Sequence, residues 1–191
     1  MGPKTLSNSN AQIVSSDSES LILVDSHDEP LGHLDKGACH DGDGILHRAF
    51  SLFIFNGQGE LLLQQRAADK RLWPLYWSNS CCSHPREGES MEIAVERRLE
   101  QELGFRTSLE FIYKFEYQAR FKDLGAEHEL CSVFIGHYDG EVAVNPTEVA
   151  AWRWQNIQEL TQQMNGPNEY TPWFNLEWAQ LREEYADKLP A

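Results

Sequence analysis

Positive charge is what this sequence has least of. Its 191 residues carry 16 Lys and Arg against 30 Asp and Glu, a formal net charge of −14. A surface that negative repels phosphate backbones, so general nucleic-acid binding, which needs a basic face, is not expected. A small anionic substrate is compatible with it, because a few Lys, Arg or a metal ion can reverse the field inside one pocket. No apolar run approaches the roughly 20 residues of a membrane span, so no membrane partner is expected either. The N-terminus lacks the basic-then-apolar layout of a secretory signal. Cysteines are few, at Cys39, Cys81, Cys82 and Cys131. Their spacing is no zinc pattern, and neighbours such as Cys81 and Cys82 have the wrong geometry to bond to each other. Free thiols in a reducing cytoplasm are expected. No internal repeat is present.

What is present is ordinary globular material, 41% hydrophobic and 24% charged, in a length that suits one domain with a sizeable core. Residues 1–19 are polar and rich in Ser, Asn and Asp, which reads as a flexible tail ahead of a single domain over 20–191. Leu21 to Val24 is a short strand ended by the turn-rich segment Asp25 to Pro30. Gly37, Gly42 and Gly44 mark 36–46 as a loop, which carries Lys36 and His40. His47 to Phe55 reads as a buried strand, and Asn56-Gly57-Gln58-Gly59 turns it back into Glu60 to Gln65. Trp77 to Cys82 is a further short strand, stopped by Pro85. Over 89–103, Met91, Val95, Leu99 and Leu103 recur at helical spacing, and Gly104 fits the C-terminal cap. Strands follow near 109–118, 127–137 and 149–154. The end is helical, at about 156–164 and then 172–186, with Thr171 as N-cap and Pro172 in the first position. The whole suggests an α/β sandwich.

Several residues carry possible chemistry. Glu127 and Glu129 are two apart on a strand, so both carboxylates leave the same face, while His128 points away. With His40, His47 and His84 they make a five-ligand nitrogen and oxygen set. Such a set suits Mn²⁺, Fe²⁺ or Zn²⁺ better than Mg²⁺; the alternative is a solvated surface cluster. Cys82, between Cys81 and the polar Ser83 and His84, is either a small buried hydrophobe or a proton donor or nucleophile. Lys36, Arg66, Lys70 and Arg71 fall in loops at strand ends, where they serve solubility or seat an anion. Six tryptophans are many for this length. Most should be core, and one could face a cationic intermediate.

Taken in order, Leu46-His47-Arg48-Ala49-Phe50-Ser51, Leu62-Leu63-Gln64-Gln65-Arg66, Trp77-Ser78-Asn79-Ser80-Cys81-Cys82-Ser83-His84-Pro85, Glu127-His128-Glu129 and Thr171-Pro172-Trp173-Phe174 resemble the motifs of type 1 isopentenyl-diphosphate isomerases. The resemblance implies a Nudix-like α/β/α sandwich around a mixed β-sheet. The Nudix box aligns on Ser83, Glu89, Arg97, Arg98, Leu99, Gln101, Glu102, Gly104 and Phe105. Its first Gly is Ser83 here, and two of its acids are replaced, by Arg98 and Gln101. Hydrolases of this fold use that acid cluster to hold the cations that activate water, so the replacements disfavour hydrolysis.

By resemblance, His40, His47, His84, Glu127 and Glu129 would bind a divalent metal (Mn²⁺, Zn²⁺ or Mg²⁺). Glu102 would help seat a Mg²⁺ that accompanies the substrate diphosphate. Cys82 and Glu129 would be the catalytic pair, with Tyr117 and Trp173 as active-site aromatics. Lys36, Arg66, Lys70, Ser83 and Arg98 would line the diphosphate end. The implied activity is the interconversion of isopentenyl and dimethylallyl diphosphate, with a small-molecule diphosphate as partner. The chain would act as a monomer or weak homodimer. Rival readings are a Nudix hydrolase of nucleoside diphosphate derivatives and a metal-binding scaffold without turnover.

Overall fold

A strand buried on both faces must sit at the centre of a layered domain, and β3 (His47–Phe55) is that strand, buried at every position except Arg48. In the computed structural model, which describes residues 11–167 and 169–190, β3 pairs in parallel with β8 (Gly125–His137), from His47 opposite Glu129 to Phe55 opposite His137. Its other edge is shared. Leu23 of β1 (Ser20–Val24) sits opposite His47, β6 (Cys81–Ser83) pairs with Phe50 to Leu52, and Leu61 of β4 (Glu60–Arg66) sits opposite Phe55. β1 continues to β2 (Pro30–Asp35), β4 to β5 (Trp77–Ser78) and β9 (Val149–Asn156), and β8 to β7 (Leu109–Phe121). The sheet is therefore mixed.

The side-chain period of two divides β3 between two cores. Ala49, Phe53 and Phe55 meet Leu160 of α3 (Ile157–Met164) and Phe174, Trp178 and Leu181 of α4 (Pro172–Glu184). Phe50, Leu52 and Ile54 meet Ala94, Val95, Leu99 and Leu103 of α2 (Met91–Leu103). This is the expected α/β/α sandwich. The pattern also fixes register, because a slip of one residue would turn Ser51 into one core and expel a phenylalanine from the other. The helix α2 starts where the Ser90 side chain accepts from Ile93 N and ends at Gly104, with φ at 77°. A β-carbon on Gly104 would lie 2.7 Å from the Ala143 carbonyl oxygen, so only glycine closes this helix.

Four details differ from expectation. The expected turn at 25–30 ends at Pro30, which opens the edge strand β2. The loop at 36–46 begins as a helical turn, α1 (Lys36–Cys39), and His40 is its C-cap. The single strand expected over 77–82 is broken into β5 and β6. There the Asn79 amide donates to the carbonyls of Leu52 and Cys81, and Ser80 Oγ donates to Leu62 O while accepting from Ile54 N. These side chains stand in for ladder bonds and let the chain cross from β4 to β3. Finally, β7 and β8 run three and two residues further toward their shared turn than expected.

Of the tail, residues 1–10 lie outside the described residues. Residues 11–19 form no regular element but touch the domain closely. Val14 is buried, and its carbonyl accepts from Arg86 and Arg98. No described helix is long and apolar enough to cross a membrane.

Candidate active site

The parallel pairing of β3 with β8 brings His47 beside Glu129. Period-two alternation puts Glu127 on the same face of β8, His40 arrives from the end of α1, and His84 follows β6. One ligand atom from each of these five buried residues lies within 4.8 Å of all the others. His40 Nε2 is 2.9 Å from Glu127 Oε2, His84 Nε2 is 2.8 Å from Glu129 Oε1, and His47 Nε2 is 3.7 Å from the same oxygen. The His47 Nδ1–H donates to Ile45 O at 2.7 Å, which leaves the Nε2 lone pair facing inward.

Electrostatics point the same way. Burial and neighbouring His84 push His47 down to about 4, so it is a neutral imidazole. Burial raises Glu127, but His40 and the other imidazoles outweigh it and hold that carboxyl well below the usual range. Burial and the charge of Glu127 push Glu129 up to about 7. His47 Nε2 and His84 Nδ1 are buried without a hydrogen-bond partner, and His40 Nε2 and Glu127 Oε2 meet only each other, as the ion pair above. Orphaned atoms of this kind are costly. A divalent cation would satisfy the cluster at once, and the mixed nitrogen and oxygen donors suit Mn²⁺ or Zn²⁺.

Glu129, Cys82, Tyr117 and Trp173 all line one cavity of about 480 Å³. Cys81 and Cys82 point to opposite faces of the sheet. Cys81 is buried in the core under α2, and Cys82 is half-buried on the cavity side. Burial pushes the Cys82 thiol up to about 12, despite the opposing charge of Arg66, so the thiol is neutral. Tyr117 OH donates to Glu129 Oε2 at 2.6 Å. The indole of Trp173 donates to Ser78 Oγ at 3.1 Å, and the Arg66 guanidinium lies 5.2 Å above its ring.

All five residues expected at the diphosphate end, Lys36, Arg66, Lys70, Ser83 and Arg98, line this cavity. Lys36 Nζ donates to Ser15 Oγ at 2.7 Å, and Arg66 donates to the carbonyls of Leu72 and Trp73. Arg98 sits between Glu102 and Glu148, and Lys70 pairs with Glu148 from the other side. Glu148 is the residue sequence reasoning missed here. Nothing local marks it among 30 acids, since its importance comes from Arg98 on a distant helix.

A second missed acid lies beneath the floor. Glu177 is fully buried on α4, four residues after Trp173 and so on the same helix face. Cys131 Sγ lies 3.5 Å from Glu177 Oε1 and 3.5 Å from Ser51 Oγ, and Glu177 Oε2 has no partner. The sequence held a signal, because Glu177 interrupts the apolar stripe of Phe174, Trp178 and Leu181. Burial pushes Glu177 up to about 8, with Ser51 and Cys131 opposing and Glu129 adding to the rise. A carboxyl raised above its ordinary value of 4.5 binds its proton more tightly in the folded state. Its contribution is then intact below that value and is lost as pH climbs toward about 8, at up to ~1.4 kcal/mol per pH unit. Glu177→Gln should therefore raise Tm at pH 9 and make little difference at pH 5. A gain independent of pH would show that Glu177 is not buried as an acid.

Comparison with known proteins adds the family. The NUDIX domain model matches residues 45–175. The chain is 46% identical over 174 residues to isopentenyl-diphosphate Delta-isomerase 1 of Photorhabdus laumondii, covering 90% of this chain and 99% of that one. It is also 46% identical over 158 residues to the isopentenyl-diphosphate Delta-isomerase of Burkholderia multivorans, covering 82% and 89%. The chain belongs to the isopentenyl-diphosphate Delta-isomerase family. Solved structures carry the fold alone. A Deinococcus radiodurans protein aligns with TM-score 0.71 at 20% identity, covering 85% of this chain and 98% of that one. The MutT protein of Methanosarcina mazei aligns with TM-score 0.62 at 17% identity, covering 73% and 95%. In this member of the isomerase family the altered box has a structural outcome. Arg98, one of the replacements, forms ion pairs with Glu102 and Glu148, which brings a positive charge among the acids lining the cavity.

Proposed function

We propose that this chain interconverts isopentenyl and dimethylallyl diphosphate, as an isomerase of isoprenoid biosynthesis, by protonation and deprotonation through a tertiary carbocation. One observation carries the reading. The thiol of Cys82 and the carboxyl of Glu129 line one cavity, together with the cations Lys36, Arg66, Lys70 and Arg98, the rings of Tyr117 and Trp173, and the acids Glu102, Glu127 and Glu148. Moving a double bond by one carbon needs one proton added at the chain end and another removed from C2. Two acid–base groups at a fixed substrate accomplish this without a covalent step.

Lys36, Arg66, Lys70, Ser83 and Arg98 hold the diphosphate, which orients the alkenyl chain. Trp173 presents its π face to the cation, worth about 2 kcal/mol or more in a dry site. Its indole N–H is tied to Ser78, which fixes the ring. Tyr117 holds Glu129 through its hydroxyl. His40, His47, His84, Glu127 and Glu129 are the ligand set for Mn²⁺, Zn²⁺ or Mg²⁺. A cation bound there would fix Glu129 and tune its proton affinity. Glu102 is the carboxylate for a Mg²⁺ accompanying the diphosphate. The chain is further proposed to act in the cytoplasm as a monomer or weak homodimer, its four cysteines being free thiols.

A Nudix hydrolase would need acids where this chain has Arg98 and Gln101. One assay decides among the readings. On incubation with isopentenyl diphosphate and Mn²⁺ or Mg²⁺, dimethylallyl diphosphate should form. Release of phosphate would support the hydrolase instead, and an unchanged substrate would leave a metal-binding scaffold.

A further inference from the structure

We infer that Arg71 is a positioning residue for the metal site: its guanidinium staples together the two chain segments that deliver His40 and Glu127. The inference rests on the reading of the His and Glu cluster as a metal centre, and it concerns a residue outside the ligand set.

Arg71 lies in the loop after β4, beside Lys70. Its Nη1 donates to Gly37 O at 3.2 Å, inside α1, and its Nη2 pairs with Asp41, the residue after His40. Its Nε and Nη2 also donate to Leu124 O, at 3.2 and 2.8 Å, in the turn that opens β8. Every nitrogen of the fork is thus engaged, and the bonds fall on two segments. One segment ends in His40. The other enters β8 three residues ahead of Glu127.

Between these segments the backbones touch. Ala126 N donates to His40 O at 3.0 Å. A β-carbon on Gly125 would stand 2.3 Å from that same oxygen, at a φ of 146° that favours glycine. The approach that sets His40 Nε2 2.9 Å from Glu127 Oε2 therefore depends on a bare glycine on the inside and on Arg71 on the outside.

The magnitudes separate a local role from a global one. The Arg71 side chain is 38% exposed and that of Asp41 67% exposed. Exposed pairs of this kind add little to overall stability. Groups hydrogen-bonded to the ligands themselves shift metal affinity by about 10–100-fold, and Arg71, which acts one step further out through the backbone, should fall at the lower end of that range. A lysine has one point of charge and cannot reach both segments as a fork does.

The test is a titration of Mn²⁺ against a competing chelator, on the full chain and on Arg71→Met and Arg71→Lys, with metal-free Tm measured alongside. Arg71→Met should weaken Mn²⁺ binding by about tenfold while the metal-free Tm stays close to that of the native chain. Arg71→Lys should recover only part of the loss, and turnover by either variant should be restored by excess Mn²⁺. Native Mn²⁺ affinity in Arg71→Met overturns the inference, as does a raised KM for isopentenyl diphosphate with unchanged affinity, which would make Arg71 an anion contact. A metal-free Tm that collapses in both variants would make Arg71 a structural residue and also overturn it. A native chain that binds no Mn²⁺ would remove the metal reading itself, and the staple with it.

Discussion

Cys82→Ala lowers kcat by roughly 10²–10⁴-fold, the range that a positioned acid–base group contributes. The expectation rests on placement. Cys82 and Glu129 are the proposed proton carriers of the cavity, and neither can replace the other, because protonation and deprotonation occur at different carbons of one fixed substrate. The substitution is mild for the fold. The backbone of β6 keeps its pairing with Ser51 of β3, and the thiol is half-buried rather than part of a sealed core. Substrate affinity and bound metal should be retained, since Arg66, Lys70 and the His and Glu cluster are untouched. Steady-state kinetics with circular dichroism and metal analysis on the same preparation check this. Turnover close to native in folded Cys82→Ala would remove the thiol from the mechanism.

Exhaustive chelation abolishes turnover, and Mn²⁺ or Mg²⁺ restores it. Without a cation the cluster keeps two carboxylates and three imidazoles buried together, with His47 Nε2 and His84 Nδ1 lacking any hydrogen-bond partner. Tyr117 and His84 still hold Glu129, but its proton affinity is then set by Glu127 and the imidazoles rather than by a cation. The same treatment should lower Tm, because an ion that binds only the folded chain stabilises it by mass action. His47→Ala should mimic chelation and resist rescue, since His47 is fully buried and its inward nitrogen has no substitute. Full activity in excess chelator would exclude the metal from the reaction.

Much of this site was legible because its logic is local. Glu127 and Glu129 share a face by strand alternation alone, and Met91, Val95, Leu99 and Leu103 declare α2 by spacing alone. What escaped either lacks a pattern of its own or depends on distant partners. The strand β2 has no fully buried residue and contains Pro30 and Gly32, so it carries no apolar alternation to read. The turn α1 is four residues long and contains Gly37, which intrinsic preference disfavours. The break at Asn79 and Ser80 depends on carbonyls that only the folded sheet supplies. Glu148 and Arg71 matter through partners far away in the chain. The ordered motifs, not any single pattern, raised Cys82 from an unremarkable buried thiol to a catalytic candidate. The structure then separated it from Cys81 by sending the two to opposite faces.

The parallel register that sets His47 opposite Glu129 also ties the candidate cation site to the pairing of the central strands. The candidate ligands come from the C-cap of α1, the start of β3, the residue after β6, and β8, and long stretches of chain separate His47 from His84 and His84 from Glu127, so bringing them together is entropically costly. No subset adjacent in sequence makes the site, because even Glu127 and Glu129 offer only carboxylates. An ion bound there would act as a clasp, opposing any opening motion that would part β3 from β8.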